Sequence, residues 1–424
     1  MEKSRRTEMK KILWTGMVGW LLLFLVSGCG SNNSNLKVGE DAVYDDNDYK
    51  KITEANNALG FDLLQEIALE EDGNIFISPT SLLMAMGMLY NSAEGETKKE
   101  IASVLHLNNM EAEEINQANA SLMVKLHEHM EKDEIQLNIA NSLWLNDKFQ
   151  FQDDFKKQNE TYYNAETKNI DTEDPKAADK INKWASNATN EKITQIVETP
   201  LNPQLVAILI NAIYFQGNWT LPFDKEKTTD DTFYLADGTE KTVPMMQLDE
   251  EISYMENKLF QAVKLPYGEK ENMYMHIYLP KEGVETTEWD EKWIMKKWKQ
   301  WQEDFDIQQG TLKLPRFQVE YEVKLNEVLK RLGLVSAFTG EANLSKMIKD
   351  NHSLMIDWVK QKTYLDVDEK GTEAAAVTSI GIVETSIKTD KPFVMEVNRP
   401  FYLIIMDEKL DVQLFLGKIN DPLG

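Results

Sequence analysis

The chain has 424 residues, and 46 basic against 71 acidic side chains leave a formal charge of −25. That balance removes nucleic acid as a partner, because binding there rests on clustered Lys and Arg that displace counterions. With 42% apolar residues and modest Gly and Pro the chain is an ordinary globular protein, and its one cysteine, Cys29, excludes a disulfide framework, a thiolate zinc cluster or an iron–sulfur centre.

Residues 1–11 carry five basic and two acidic side chains, and residues 12–26 form an apolar run of signal-peptide length, short for a membrane span. Leu25-Val26-Ser27-Gly28-Cys29 closes it with small residues before a thiol that can accept a lipid, and this resembles a bacterial lipobox. The expectation is a signal peptide over 1–28, cleavage before Cys29, and a lipidated flexible tether over 29–48, rich in Ser, Asn, Asp and Gly. The removed segment carries +3, so the mature charge moves from −25 to −28. The mature protein is then exported and anchored to a membrane through lipid at Cys29, at the bacterial cell surface or in the periplasm. A buried cysteine closing a hydrophobic helix is the other reading of the same residues.

From Tyr49 onward no linker, repeat or low-complexity stretch interrupts the chain, which predicts one domain over 49–424. Leu82, Leu83, Met86, Leu89 and Tyr90 recur at helical spacing, as do Ile101, Val104 and Leu105. Later the apolar runs become continuous over 205–214, 273–279 and 401–406, as buried strands require. Helices first and mostly strands afterwards predict an α+β fold.

Catalytic motifs are absent from the sequence. His106, His127, His129, His276 and His352 offer no metal-ligand spacing, and His127 and His129, two apart, point in different directions on a helix whose expected setting is solvent. No GxSxG elbow, phosphate loop, GxGxxG or EF-hand ladder occurs, so no cofactor or metal is implied and an enzyme is not expected. Trp289, Trp293, Trp298 and Trp301 interleave with Lys292, Lys296, Lys297 and Lys299. An acidic-glycan or membrane surface is one reading, and an amphipathic helix with its tryptophans in the core is the preferred one.

Residues 371–389, GTEAAAVTSIGIVETSIKT, contain no proline, and the first one after them is Pro392. Drawn as a strand, one face carries Thr372, Ala374, Ala376, Thr378, Ile380 and Ile382, and the other Glu373, Ala375, Val377, Ser379, Gly381 and Val383. The first face has no large polar or charged group, and no ladder donor is missing, so the peptide can enter the middle of a sheet. The three alanines also suit a helix, and an ordinary core strand can be written the same way.

The stretch Glu369-Lys370-Gly371-Thr372-Glu373-Ala374-Ala375-Ala376 resembles the proximal hinge of the serpins, the serine protease inhibitor superfamily. Further blocks follow in the family's order: Asn74-Ile75-Phe76-Ile77-Ser78-Pro79 with Ser81, Ala140-Asn141-Ser142-Leu143-Trp144, and 211–219 (NAIYFQGNW) with Phe223. Leu314-Pro315-Arg316-Phe317, Leu332-Gly333-Leu334, Arg399-Pro400-Phe401 and Leu414-Phe415-Leu416-Gly417-Lys418 complete them. The resemblance spans almost all of 49–422. It implies three β-sheets, eight or nine helices, a metastable native state, and an exposed reactive loop over about 369–392. A serine protease would cut that loop as substrate and form a covalent acyl complex, and insertion of the freed loop into the large sheet would trap it. The hinge would comprise Glu369, Gly371, Thr372, Glu373, Ala374, Ala375, Ala376, Val377 and Thr378.

By the same resemblance Trp219, Arg316 and Glu369 hold the top of the sheet, and Ser78, Ser81 and Asn211 form a hydrogen-bonded shutter beneath it. The family's shutter histidine falls at Gln361. Counting from the hinge places the reactive bond at Thr385-Ser386, with Val383 and Ile382 upstream, which suits subtilisin-like or elastase-like proteases. Counting back from Pro400 slides it to Lys388-Thr389, which suits trypsin-like ones. A monomer is expected. The alternative within the fold is a non-inhibitory binding or carrier protein, whose usual mark, bulky, charged or proline residues in the hinge, is missing here apart from Glu373.

Overall fold

The computed structural model describes residues 38–133, 135–284, 291–349, 354–372 and 391–424. The expected signal peptide and Cys29 lie outside them. So do Trp289, the hinge residues Glu373, Ala374, Ala375, Ala376, Val377 and Thr378, and both candidate bonds, Thr385-Ser386 and Lys388-Thr389.

In chain order the elements are α1 (Thr53–Ala68), β1 (Ile75–Ile77), α2 (Pro79–Tyr90), α3 (Gly95–Val104), α4 (Ala112–Asp133), β2 (Gln136–Asn146), α5 (Asp153–Tyr163), β3 (Glu166–Ile170), α6 (Ala177–Ala188) and β4 (Ala207–Asn218). There follow β5 (Thr229–Tyr234), β6 (Glu240–Glu256), β7 (Phe260–Tyr267), β8 (Met273–Pro280), α7 (Glu291–Glu303), β9 (Asp306–Pro315), β10 (Phe317–Lys324) and α8 (Asn326–Arg331). The chain closes with β11 (Trp358–Val367), β12 (Gly371–Thr372), β13 (Phe393–Glu396), β14 (Phe401–Asp407) and β15 (Val412–Ile419). The α+β class holds, with eight α-helices among the described residues and most of the strands late in the chain. The three continuous apolar runs become the central strands β4, β8 and β14.

Six strands form one sheet in the order β10-β11-β12-β4-β2-β3, in which β11 also pairs directly with β4. The other nine are hydrogen-bonded continuously, because the 17-residue strand β6 is shared. Its first part pairs with β5 and β9, and its end pairs with β7. The two sections flanking β6, together with the six-stranded sheet, make the three sheets of the expected fold.

Local chemistry explains the pieces that frame the large sheet. Helix α2 starts where the Ser78 side chain accepts from Ser81 N–H at 3.2 Å and Pro79 occupies the first turn. All twelve of its residues are buried, so it is a core helix with no solvent face. Strand β10 alternates buried and exposed at every residue, as an edge with one wet face must. Strand β4 is buried almost throughout, lying between β2 and β11 with α2 behind it. On the front, Trp144, Trp184, Ile193, Ile196, Ile208, Ile210 and Tyr214 form a second apolar cluster beneath α6 and the connection after it. That connection is tied to β11, since Lys360 Nζ donates to Ile196 O at 2.9 Å and Lys362 Nζ to Gln195 O at 2.8 Å.

Two expectations change. The tether expected over 29–48 is too long, because residues 38–48 lie against α4 and α5 rather than free. Gly39 N–H donates to Thr161 O at 2.8 Å, and Asp41 and Asp46 meet Lys157 and Lys125 at 3.5 and 3.4 Å. Low apolar content misled here, since backbone and charge contacts, with Val38 against the core, hold the segment. His129 is not on a solvated face either: its Nδ1 lies 2.6 Å from the fully buried carboxylate of Asp407 and ties α4 to β14, while His127 lies 3.4 Å from Glu131. The tryptophan helix α7 follows the core reading where it is described. Trp298 and Trp301 are buried, with ring centroids 5.9 Å from Phe61 and 4.8 Å from Phe260 respectively.

Candidate functional site

Two clusters of sequence-predicted residues sit along one seam, the parallel ladder between β4 and β11. It runs from Ile208 opposite Trp358 to Tyr214 opposite Tyr364. Beyond it the strands part, and β12 enters the gap antiparallel to both. Gly371 and Thr372 stand opposite Asn218 and Gly217 of β4, and Thr372 stands opposite Val367 of β11. At Gly371 φ is +156°, and a β-carbon there would come within 2.1 Å of Gly217 O, so the approach of the two backbones requires glycine.

The corner that delivers β12 is closed by its own backbone and by Trp219. Asp368 N–H donates to Gly371 O at 2.9 Å, and the Asp368 carboxylate accepts from Lys370 N–H at 2.9 Å. Trp219 Nε1 donates to Asp368 O at 3.0 Å and Trp219 N–H to Lys370 O at 2.8 Å. The Glu369 side chain turns inward, 6% exposed, where it accepts from Thr228 Oγ1 at 2.7 Å and pairs with Arg316 Nη2. Burial alone would raise the Glu369 pKa. The Thr228 and Arg316 hydrogen bonds outweigh burial and hold it below the ordinary carboxylate value. Trp219, Arg316 and Glu369 are therefore brought together.

At the middle of the ladder, where Gln361 stands opposite Asn211, lies the second cluster. Ser78, Ser81, Asn211 and Gln361 are all at most 1% exposed. Gln361 Oε1 accepts from Ser78 N–H at 2.9 Å, and its Nε2 donates to Ser78 O at 2.9 Å and to Asn211 Oδ1 at 2.8 Å. Asn211 Nδ2 faces Asn141 Oδ1 at 2.6 Å and the Ser81 hydroxyl. An amide both donates and accepts at this node, so the network closes without a titratable group.

Sequence reasoning gave no role to Asn141, Thr228, Asp368, Thr363 or Tyr267. Asn141 had a visible signal, a polar residue inside the apolar run of β2. Thr363 donates to Phe76 O at 2.6 Å across a gap of nearly three hundred residues, which nothing local announces. Among the described residues no group of three or more His, Cys, Asp or Glu is arranged to hold a metal ion. The geometry holds a short strand at the mouth of a gap between two strands.

A family model described as Serpin (serine protease inhibitor) matches residues 54–422. Serpin B4 of Homo sapiens is 30% identical over 392 residues, covering 88% of this chain and 99% of its own length. An uncharacterized serpin-like protein of Methanosarcina acetivorans is 31% identical over 377 residues, covering 88% and 86%. The crystal structure of human thyroxine-binding globulin, solved with thyroxine, superposes with a TM-score of 0.80 at 27% identity over 89% of this chain and 100% of that one.

Replacing Glu369 by Gln should lower the stability of the uncut protein by about 1–2 kcal/mol, the scale of charged hydrogen bonds to a partly exposed partner, measured by denaturant unfolding. Because the folded pKa of Glu369 is lowered, its contribution is complete above the ordinary value of 4.5 and disappears as pH falls through the lowered one, so the difference between wild type and Glu369→Gln should vanish in acid. At the second cluster the opposite substitution is informative. Gln361→His introduces a buried group that must stay neutral, so that variant should lose stability relative to wild type as pH drops below about 6.5. An unchanged difference between Gln361→His and wild type from pH 8 to pH 5 would contradict this.

Proposed function

The chain belongs to the serpin family of serine protease inhibitors, and from that premise we propose that it is a suicide inhibitor that traps its protease covalently. The observation that carries this reading is the seam: β4 and β11 pair directly over 208–214 and 358–364, and among the described residues it is Gly371 and Thr372 of β12 that occupy the gap at their end. Continued along β4, the register of β12 would set Ala374, Ala376 and Thr378 opposite Phe215, Ile213 and Asn211. Thr372 lies opposite Gly217 on the core-facing side, so these small side chains would meet the core and Glu373 would face away.

In the proposed mechanism the protease serine Oγ attacks the Thr385 carbonyl carbon and the Thr385-Ser386 C–N bond breaks. The proton passes through the protease histidine to the new Ser386 amine, leaving an ester between Thr385 and the protease. The freed residues from 373 onward then add to the sheet as a strand antiparallel to both neighbours, dragging the esterified protease with them. Insertion must outrun ester hydrolysis, and small proline-free side chains favour that race. Thr385 after Ile382, Val383 and Glu384 suits subtilisin-like or elastase-like pockets, with Lys388 and trypsin-like proteases as the alternative register. Such a protein acts as a monomer and performs no turnover.

A carrier role is the second reading. The apolar cleft lined by Phe61, Leu64, Tyr278, Trp298, Trp301 and Leu416 is narrow, about 20 Å³, so a carried ligand would require it to open. Thyroxine-binding globulin, similar in fold, was solved with thyroxine bound.

Mixing residues 49–424 with subtilisin, elastase and trypsin separately should give a protease–protein band that survives boiling in detergent, with the released peptide starting at Ser386 or Thr389. The cut protein should melt far above the intact one. Ala374→Pro should convert the inhibitor into a substrate, cleaved at the same bond without the band. Cleavage of wild type with no band would leave the fold and overturn the trapping reading in favour of the carrier.

We also propose that residues 1–28 are removed and that lipid at Cys29 anchors the mature protein to a membrane at the cell surface or in the periplasm. Cys29→Ala should move it from the membrane to the soluble fraction and alter its gel mobility. An unchanged fraction and mobility would refute the anchor.

A further inference from the structure

Thr372 lies within the loop expected over 369–392 and is its last described residue on the hinge side, but it is fully buried and Glu369 and Gly371 are buried too, so the expected exposure does not hold for these three. Its hydroxyl lies 2.8 Å from that of Tyr267, which is also fully buried. Tyr267 ends β7 in the nine-stranded sheet, so this bond joins the two sheets at the mouth of the seam. The ring is fixed from three sides. It stacks on Trp219 with centroids 4.4 Å apart, meets Phe215 edge-on at 5.1 Å, and fits over Gly217, where a β-carbon would come within 3.0 Å of it. Burial also raises the Tyr267 pKa, so the phenol keeps its proton and can donate.

We propose that Tyr267 is a positioning residue that seats Thr372 between β4 and β11 before the loop is cut. Two buried hydroxyls satisfy each other there, and separating them strands both, which holds the hinge in the gap. Strand addition then begins from a formed pair of residues, so the loop-closure cost of starting the strand is met before cleavage. The bond also selects the register. A slip by one residue would put Glu373 against the Tyr267 ring and turn the small face away from the core.

The seat itself is a property of the uncut chain, whereas its effect on inhibition rests on the trapping mechanism proposed above, and two measurements separate them. The first is hydrogen exchange on the intact full-length protein, read in peptides covering 215–219 and 366–372. Tyr267→Phe keeps the ring and removes the hydroxyl, and should speed exchange in those two peptides about fivefold or more while β8 and β14 stay unchanged. Thr372→Val removes the other hydroxyl at equal size and should do the same, with no further gain in the double variant. Exchange equal to wild type in both single variants would overturn the seat, as would additive effects in the double variant.

The second measurement is the number of inhibitor molecules consumed per protease trapped, using whichever of subtilisin, elastase or trypsin gives the boiling-stable band. It should rise about fivefold in each variant, because a slower start to insertion lets hydrolysis win more often. A purely structural defect would lower the melting temperature and leave this ratio alone, and that outcome would remove Tyr267 from the mechanism. If wild type traps no protease at all, the trapping reading falls while the exchange data still decide whether Tyr267 seats the hinge.

Discussion

The structure depends on one ladder that can be improved. Strands β4 and β11 pair in parallel over 208–214 and 358–364, whereas in the same sheet β2–β4, β10–β11 and both pairings of β12 are antiparallel and the other parallel ladder is that of the edge strand β3 with β2. Parallel pairing is slightly the weaker kind per residue. A strand continuing β12 would replace this single parallel ladder with two antiparallel ones and move β11 away by about one strand spacing, ~4.8 Å. Under the proposed trapping mechanism that rearranged sheet is the state the chain reaches once the loop is cut.

The polar groups along the seam sit at its mouth and at its middle. At the mouth, Glu369 is held by Thr228 and Arg316, and Trp219 fastens the backbone of the turn. At the middle of the ladder Gln361 bridges Ser78 and Asn211 and so links β11, β4 and the start of α2. Across the front, Lys360 and Lys362 fasten the connection after α6 to β11. Hydrogen bonds suit this task better than apolar packing. Their directionality makes them strong in one arrangement and absent after a shift of a strand width, whereas apolar contacts weaken gradually. A closure of this kind can hold for long periods and still release in a concerted step.

Much of the fold was legible because its middle is dry. A strand buried on both faces shows as a continuous apolar run, which is why β4, β8 and β14 stand out. The neighbouring β3, ETKNI, is a polar edge strand that no periodicity reveals. The site was legible only where residues form compact blocks, as around Asn211 and Glu369, and there the family resemblance supplied the roles. Partners far apart in the chain were not legible. Tyr267 and Thr372 are separated by 105 positions and His129 and Asp407 by 278, so each contact exists only once the topology brings two sheets or a helix and a sheet together. The segment 38–48 failed for a different reason: composition measures apolar burial, and this segment is held mostly by backbone and charge, with Val38 alone of its first residues packed on the core.

The placement of Thr372 shows how a local contact constrains a large rearrangement. Strand β4 runs from Ala207 to Asn218, and Gly371 is already opposite Asn218. Extending that register fills β4 at residue 382, opposite Ala207, three positions before Thr385 and six before Lys388. Over those positions the core-facing side carries Thr372, Ala374, Ala376, Thr378, Ile380 and Ile382, and Thr378 arrives beside Asn211. A hydroxyl at that point can join a network already made of Ser78, Ser81, Asn141 and Gln361, where an aliphatic side chain would displace its hydrogen bonds. The large residues Ile380 and Ile382 come only beyond the network, opposite Leu209 and Ala207. Small residues where the sheet must part, a hydroxyl where the polar node must be passed, and apolar bulk at the end follow the order in which an entering strand would meet those surroundings.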